Sequence, residues 1–393
     1  MKALEGLRVV DFTQAMAAPF GTMNLADMGA DVIKIEPPVT GEPTRELSSV
    51  SQNGESATFM TMNRDKRGLT VDLKRREGVA MVRRLVLTAD VFVQNYRPGV
   101  AERLGLGWEA LSAVNPRLIY CSVSGFGGTG PYAARGGYDL IAQGMSGIIS
   151  VTGHEGAPAK SGVPISDLCA GLFAAYGILC ALEHRERTGL GQLVDTSLFE
   201  AALALTAWES TEYWATGRAP LPLGSAHRLT APYQAIRASD GYFNVGANSD
   251  KLFEAFCRAI DRPELTRDPR FAENAGRMEH RAALIQAIEK TTEGDTREHW
   301  LARLGAAGVP SGPINDYAEA LSDPHALARR MIVDLVHAVA GPIKALGIPV
   351  KLSDTPGAVD RAAPRLGQHT EEILTELGYS PDEQRALRDA GVV

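Results

Sequence analysis

Between residues 161 and 179 the sequence SGVPISDLCAGLFAAYGIL sets one acid, Asp167, at the head of a segment that is otherwise small and apolar. Leu168, Leu172, Tyr176 and Leu179 follow at steps of three and four residues, the spacing of one helix face. A carboxylate at that point can act as the helix N-cap, accepting backbone N–H groups that lack a partner in the first turn. Other arrangements invite nucleotide or hydrolytic chemistry. GFGGTG at 125–130 has the glycine spacing of a dinucleotide turn, but Pro131 follows at once and no long amphipathic helix opens there, so a flexible glycine loop fits it better. Glu36 closes an apolar run where a ribose-binding acid would sit, yet the preceding turn, TQAMAAPFG, lacks the glycines that let a pyrophosphate approach the backbone. Neither GxxxxGK[ST] nor GxSxG occurs, which removes the main support for phosphoryl transfer and for a serine nucleophile elbow. The eight histidines are dispersed without an HExxH or HxH pair, and the four cysteines have no CxxC spacing; neither a metal centre nor a disulfide framework is indicated.

Composition narrows the class. With 393 residues, 45% of them hydrophobic and 22% charged, the chain can bury a full core and is expected to divide into two domains. A net charge of −7 argues against nucleic acid as a partner, and no basic cluster is longer than KRR at 74–76. The N-terminal MKALEGLRVVDF has no signal-peptide character and no apolar run reaches membrane-spanning length, so a cytoplasmic protein without a membrane partner is expected.

The elements that would position Asp167 alternate. LRVVDF (7–12), DVIKIE (31–36), LTVDLK (69–74), DVFVQNY (90–96) and LIYCSVSGF (118–126) read as strands, with helices at 19–30, 77–88 and near 100–114 between them. This alternation predicts an α/β fold with a mainly parallel sheet, helices on both faces and ligands at the carboxyl ends of the strands. Helices fill 167–217, after which GRAPLPLGSAHRLTAPY (217–233) reads as a linker. YQAIRASDGYFNVGA predicts a hairpin turning at Asp240-Gly241, followed by amphipathic helices to about 325; the last segment carries a strand near GPIKALGIPVKL and a helix TEEILTELG.

Several of these stretches, in this order, resemble the family III CoA transferases, the group named for formyl-CoA transferase and the carnitine CoA transferase: GLRVVDFTQAMAAPFGTMNLADMGADVIKIEPP, MNRDKRGLTVDLK, NYRPGVAERLGLG, NPRLIYCSVSGFG, GPYAARGGYDLIAQGMSG, RTGLGQLVDTSLFEAAL and AGVPSGPIND. The resemblance implies a Rossmann-like large domain and a small α+β domain in two chains interlocked as a homodimer. On this sequence that gives a large CoA-binding domain at 1–199, a linker helix and loop at 200–226, a small domain at 227–325 and a return segment at 326–393. It implies that Asp167 is a covalent nucleophile: it attacks an acyl-CoA thioester to give an anhydride, and the released thiolate attacks the aspartyl carbonyl to give an aspartyl-CoA thioester. Exclusion of water protects the anhydride. No permanently bound cofactor and no metal are implied; coenzyme A enters as part of the substrate.

By the same resemblance Gln14, Ala15 and Ala17 lie in the turn that meets CoA and the acyl group, while Val71, Lys74, Asn95, Tyr96 and Arg103 match CoA-contacting positions. Arg and Lys suit phosphates, and a Tyr ring can lie along adenine. One basic position near adenine falls on Pro38, and the glycine-rich loop of formyl-CoA transferase has no equivalent in NVGANSDKLF (244–253), where Gly246 alone remains. The His-x-Gln pattern of that enzyme is replaced by Gln14 and Met16, which argues against formate or oxalate. The main rival is an α-methylacyl-CoA racemase, which shares the fold and pairs the aspartate with the histidine of a Gly-His-Asp stretch. Here the stretch reads Gly137-Tyr138-Asp139, and a Tyr with a pKa of about 10 is poorly suited to proton exchange at neutral pH, so transfer is favoured and Tyr138 is placed in the acyl pocket. A non-catalytic CoA-binding protein is a second alternative. In its length and in lacking that loop the chain more resembles the relatives that move CoA from succinyl-CoA to small dicarboxylates such as itaconate, mesaconate or citramalate; that resemblance implies a cation for the far carboxylate, with His227, Arg228 or Arg64 as the candidates.

Overall fold

The computed structural model of the chain describes residues 1–47 and 49–393. Six strands form one parallel sheet: β1 (Arg8–Phe12), β2 (Asp31–Glu36), β3 (Arg67–Thr70), β4 (Val91–Gln94), β5 (Ile119–Ser124) and β6 (Leu193–Ser197). Their order across the sheet is β6-β5-β4-β1-β2-β3, every pair parallel. This is the doubly wound order, and it reverses between β1 and β4, where a crevice opens beyond the carboxyl ends of the strands.

Alternation along each strand explains the apolar runs. Val9, Val32, Val91 and Ile119 face one core with α1 (Ala17–Asp27) and α4 (Ile165–Thr188); Val10, Ile33, Phe92 and Tyr120 face another with α2 (Arg76–Val86) and the C-terminal helices Thr370–Glu376 and Pro381–Asp389. A sheet covered on both faces needs near-continuous apolar strands rather than half-polar ones, and each buried Val or Ile contributes about 1.5–3 kcal/mol. The exception is β6, which sequence reading left between helices. Its LVDTS is half exposed at the sheet edge beside β5, so it carries no apolar run. The helix expected near 100–114 is two short ones, Val100–Arg103 and Trp108–Ser112, parted by the left-handed Gly105 (φ 70°).

The chain divides into two compact units, one of Met1–Ile148, Lys160–Arg218 and Pro324–Val393, the other of Ile149–Ala159 and Ala219–Asp323. Residues 149–159 thus join the smaller unit, and the helices Leu198–Ala204 and Ala207–Thr216 belong to the larger. Within the smaller unit, Tyr233–Ala238 and Gly241–Gly246 form the hairpin turning at Asp240-Gly241, and Ser311–Pro313 completes a three-stranded antiparallel sheet. The sheet and the helices Asp250–Ala259, Arg281–Thr292 and Arg297–Ala306 share a core that includes Ile236, Phe243, Phe253, Phe256, Leu284 and Trp300.

Candidate active site

A cavity of about 200 Å3 lies at the reversal point, lined by the turns after β1 (Gln14, Ala15, Met16, Ala17), β4 (Asn95, Tyr96, Arg97, Pro98) and β5 (Ser124, Gly125), by Arg135–Tyr138, and by Asp167. Asp167 is the third residue of α4, whose N-cap is Pro164, so it is not the cap that its position in the sequence suggested. The cap comes from outside the helix. Asp139, first residue of α3 (Asp139–Met145), accepts the Ser166 N–H at 2.9 Å and the Gln143 side-chain amide at 2.7 Å; Gln143 in turn accepts the Ser161 N–H at 2.8 Å. Relieved of capping, the Asp167 carboxylate has neither a hydrogen-bond donor nor a cation among the described residues. Burial, and then the charge of Asp139, push its carboxyl up to about 6, against the opposite pull of the helix N-terminus. It therefore ionises at neutral pH yet stays more basic than an ordinary carboxylate.

Glycines set how close the surrounding backbone comes. A Cβ on Gly171 would sit 2.5 Å from the Ala17 carbonyl oxygen, and one on Gly21 would sit 2.7 Å from that of Gly171, so α1 and α4 touch backbone to backbone one turn beyond Asp167. Gly125 and Gly137 meet in the same way, a Cβ on either falling 2.6–2.7 Å from the other's Cα.

The turn after β1 is held from two sides. Gln14 donates its N–H to Asn95 Oδ1 at 2.8 Å and accepts Asn95 Nδ2 at 2.8 Å, which ties the β1 turn to the β4 turn. Ala15 is left-handed (φ 65°), a conformation that costs a non-glycine residue about 1–2 kcal/mol. Its N–H donates to Glu42 Oε2 at 3.1 Å. Beneath lie buried charges in pairs: Lys34 with Glu42 at 3.2 Å, Lys66 with Asp11 at 2.8 Å, and Arg45 with Glu36 at 2.6 Å. Burial alone would raise the Asp11 carboxyl; the Lys66 and Lys34 ammonium groups and the hydrogen bonds outweigh it and hold the group down at about 2.

Of the residues singled out in the sequence, Gln14, Ala15, Ala17, Asn95, Tyr96, Tyr138 and Asp167 line one cavity. Tyr96 stacks on Phe12 with ring centroids 4.4 Å apart, and Tyr138 is 75% exposed. Lys74 and Arg103 follow the carboxyl ends of β3 and β4, exposed and outside the lining. The Val71 side chain is buried in the second core. Arg64 cannot serve a substrate carboxylate, because its guanidinium is buried against Asp27 (3.0 and 2.6 Å) and donates to the Leu346 carbonyl. His227, Arg228 and Gly246 belong to the smaller unit. There His227 Nδ1 accepts the Leu229 N–H, Arg228 donates to the Leu221 carbonyl, and Gly246 presents its Cα to the Tyr233 ring.

Sequence reasoning missed Arg97, Arg135 and the capping role of Asp139. Both arginines line the cavity, and neither guanidinium meets a carboxylate among the described residues; Arg135 lies over the rings of Tyr132 and Phe126 at 4.7 and 5.5 Å. Each stood inside a stretch already quoted, NYRPGV and GPYAARGGYD, without a spacing that marked it. Among the described residues no group of three or more His, Cys, Asp or Glu could hold a metal ion.

A doubly wound sheet whose reversal crevice holds a carboxylate without a cation and two guanidinium groups without a carboxylate among the described residues is suited to an anionic small molecule. The model of CoA-transferase family III matches residues 4–370, and the chain belongs to that family as one of its enzymes. It is 40% identical to a succinyl-CoA--D-citramalate CoA-transferase of Chloroflexus aurantiacus, over 100% of this chain and 98% of that one. It is 42% identical to an acetyl-CoA:oxalate CoA-transferase of Acetobacter aceti, over 95% of each. A crystal structure of a CaiB/BaiF family protein from Brucella suis superposes with a TM-score of 0.87 at 40% identity, over 96% of this chain and 99% of that one.

Proposed function

We propose that the chain moves CoA from succinyl-CoA to a small dicarboxylate acceptor through Asp167. The carboxylate attacks the thioester carbonyl and expels CoA thiolate, leaving an aspartyl acyl anhydride. The thiolate attacks the aspartyl carbonyl, releasing the donor acid and forming an aspartyl-CoA thioester. The acceptor carboxylate attacks that thioester to give a second anhydride, and the thiolate attacks its acyl carbonyl, yielding the new acyl-CoA and free Asp167. The observation that carries this reading is the Asp167 carboxylate itself: it lines the cavity with no donor or cation among the described residues, and its raised pKa gives it more basicity than a paired structural acid has. Arg97 and Arg135 suit the phosphates of CoA or the far carboxylate of the acid; Lys74 and Arg103, beyond the cavity, suit the distal phosphate.

The relative that acts on D-citramalate supports a C5 dicarboxylate, with itaconate and mesaconate of similar size. The relative that acts on oxalate means the Gln14–Met16 departure does not by itself exclude that acid. Racemisation is disfavoured by Tyr138, which lines the cavity where a histidine would be needed. An interlocked homodimer is part of the proposal. Leu172, Phe173, Tyr176 and Leu179 of α4 and Trp214 are exposed, an apolar surface of the kind a second copy covers. A screen of acceptor acids with succinyl-CoA, combined with hydroxylamine or borohydride trapping, tests the reading. Modification at Asp167 during turnover is expected; unmodified Asp167 together with α-proton exchange on a 2-methylacyl-CoA would establish the racemase instead.

A further inference from the structure

The turn that carries Gln14 and Ala15 into the cavity is gripped on both sides of Gln14 by one buried ion pair. Lys34 Nζ donates to the Thr13 carbonyl at 3.0 Å, and Glu42 Oε2 accepts the Ala15 N–H at 3.1 Å. The two side chains meet at 3.2 Å, Lys34 fully buried and Glu42 only 3% exposed. Glu42 is fixed in turn: its Oε1 accepts the Thr44 hydroxyl, and its own N–H donates to Glu36 Oε2, which Arg45 holds. Neither Lys34 nor Glu42 lines the cavity. A buried pair of this kind is weak evidence for stability, because desolvation offsets much of the attraction, so its worth lies in what its atoms hold. What they hold is a strained conformation, Ala15 at φ 65°, which only surrounding contacts can impose on a residue with a Cβ.

We infer that Lys34 and Glu42 are positioning residues for CoA transfer: the pair locks the Thr13–Ala15 turn in the pose that presents Gln14 and Ala15 to the acyl-CoA. The inference rests on the reading that the Asp167 cavity is where CoA is transferred. Without the grip, Ala15 relaxes toward negative φ, the tie between Gln14 and Asn95 loosens, and the thioester carbonyl is no longer aligned with the Asp167 carboxylate. Small misplacements of this kind act on turnover more than on binding.

The test uses the fact that glycine adopts positive φ without penalty. Glu42→Gln is expected to lower kcat at least tenfold while KM for succinyl-CoA changes less than threefold; Ala15→Gly alone, whatever its own kcat, is the reference against which the double variant is read. In the Ala15→Gly background Glu42→Gln is expected to lower kcat at least fivefold less than it does with Ala15 present, because glycine reaches the pose without strain once the grip is gone. Thr44→Val, which removes one hydrogen bond from Glu42 and leaves the charges in place, serves if Glu42→Gln does not fold; it is expected to give a threefold to tenfold loss that shrinks to less than twofold in the Ala15→Gly background. Turnover per site is counted on protein shown to be folded by its thermal transition. An unchanged kcat in both folded variants, or a loss that Ala15→Gly does not relieve, overturns the inference. Asp167→Asn, measured alongside, separates the two readings: if it retains turnover the cavity assignment fails, whereas if it is inactive the outcome at Glu42 and Thr44 judges the positioning role alone.

Discussion

Two carboxylates a few residues from the same cavity have opposite surroundings. Asp11, at the end of β1, is fully buried, faces Lys66 at 2.8 Å, accepts the Thr13 and Thr22 hydroxyls and sits at about 2. Asp167, at the head of α4, has no donor and no cation among the described residues, has Asp139 as its charged neighbour and sits at about 6. The first group is an acid whose charge is fully spoken for; the second keeps its lone pairs for something outside the chain. Local structure makes the difference: the acid on β1 meets Lys34 of the neighbouring β2 and Lys66 from the loop before β3, while a helix start capped from elsewhere leaves its third residue without a described partner.

Exchanging the properties of the two sites should have unequal consequences. Asp167→Asn is expected to lower turnover about a thousandfold or more with folding and CoA binding retained, read by steady-state kinetics and by calorimetric titration with CoA. Lys66→Met, which strands Asp11 without its counter-ion, should instead cost about 3–5 kcal/mol of stability, read by denaturant unfolding. Arg97→Gln and Arg135→Gln should each raise KM for acyl-CoA about tenfold, as expected for losing a charge-assisted hydrogen bond worth about 1.5 kcal/mol. The pH profile sharpens the contrast further. Protonated Asp167 cannot attack, so kcat/KM should fall as pH drops through about 6, and Asp139→Asn, which removes the neighbouring charge but keeps an acceptor for the Ser166 N–H, should move that limb to lower pH. Lys74→Ala, exposed and beyond the cavity, should change KM by less than about threefold.

Much of this was legible in the residues. Strands buried on both faces announce themselves as apolar runs, which is why β1 to β5 could be placed while the half-polar β6 could not. Asp167 stood out because its surroundings are otherwise apolar, but that it does not cap its helix could not be read without Asp139, which lies 28 positions earlier in the sequence and meets α4 only in the fold. Arg64 shows the converse. An arginine in a recognisable motif looked available, and nothing local revealed that Asp27, on another element, already held it. Arg97 and Arg135 line the cavity instead, and what distinguishes them is that neither meets a carboxylate among the described residues, a property no spacing encodes.

The backbone contacts at Gly21–Gly171 and Gly125–Gly137 have a consequence for altering which acids are accepted. Where main chain rests on main chain, no side chain can be trimmed to make room, so those walls behave as fixed jaws. On the proposed function, acid preference is therefore to be retuned at Met16 and Tyr138, whose side chains line the cavity.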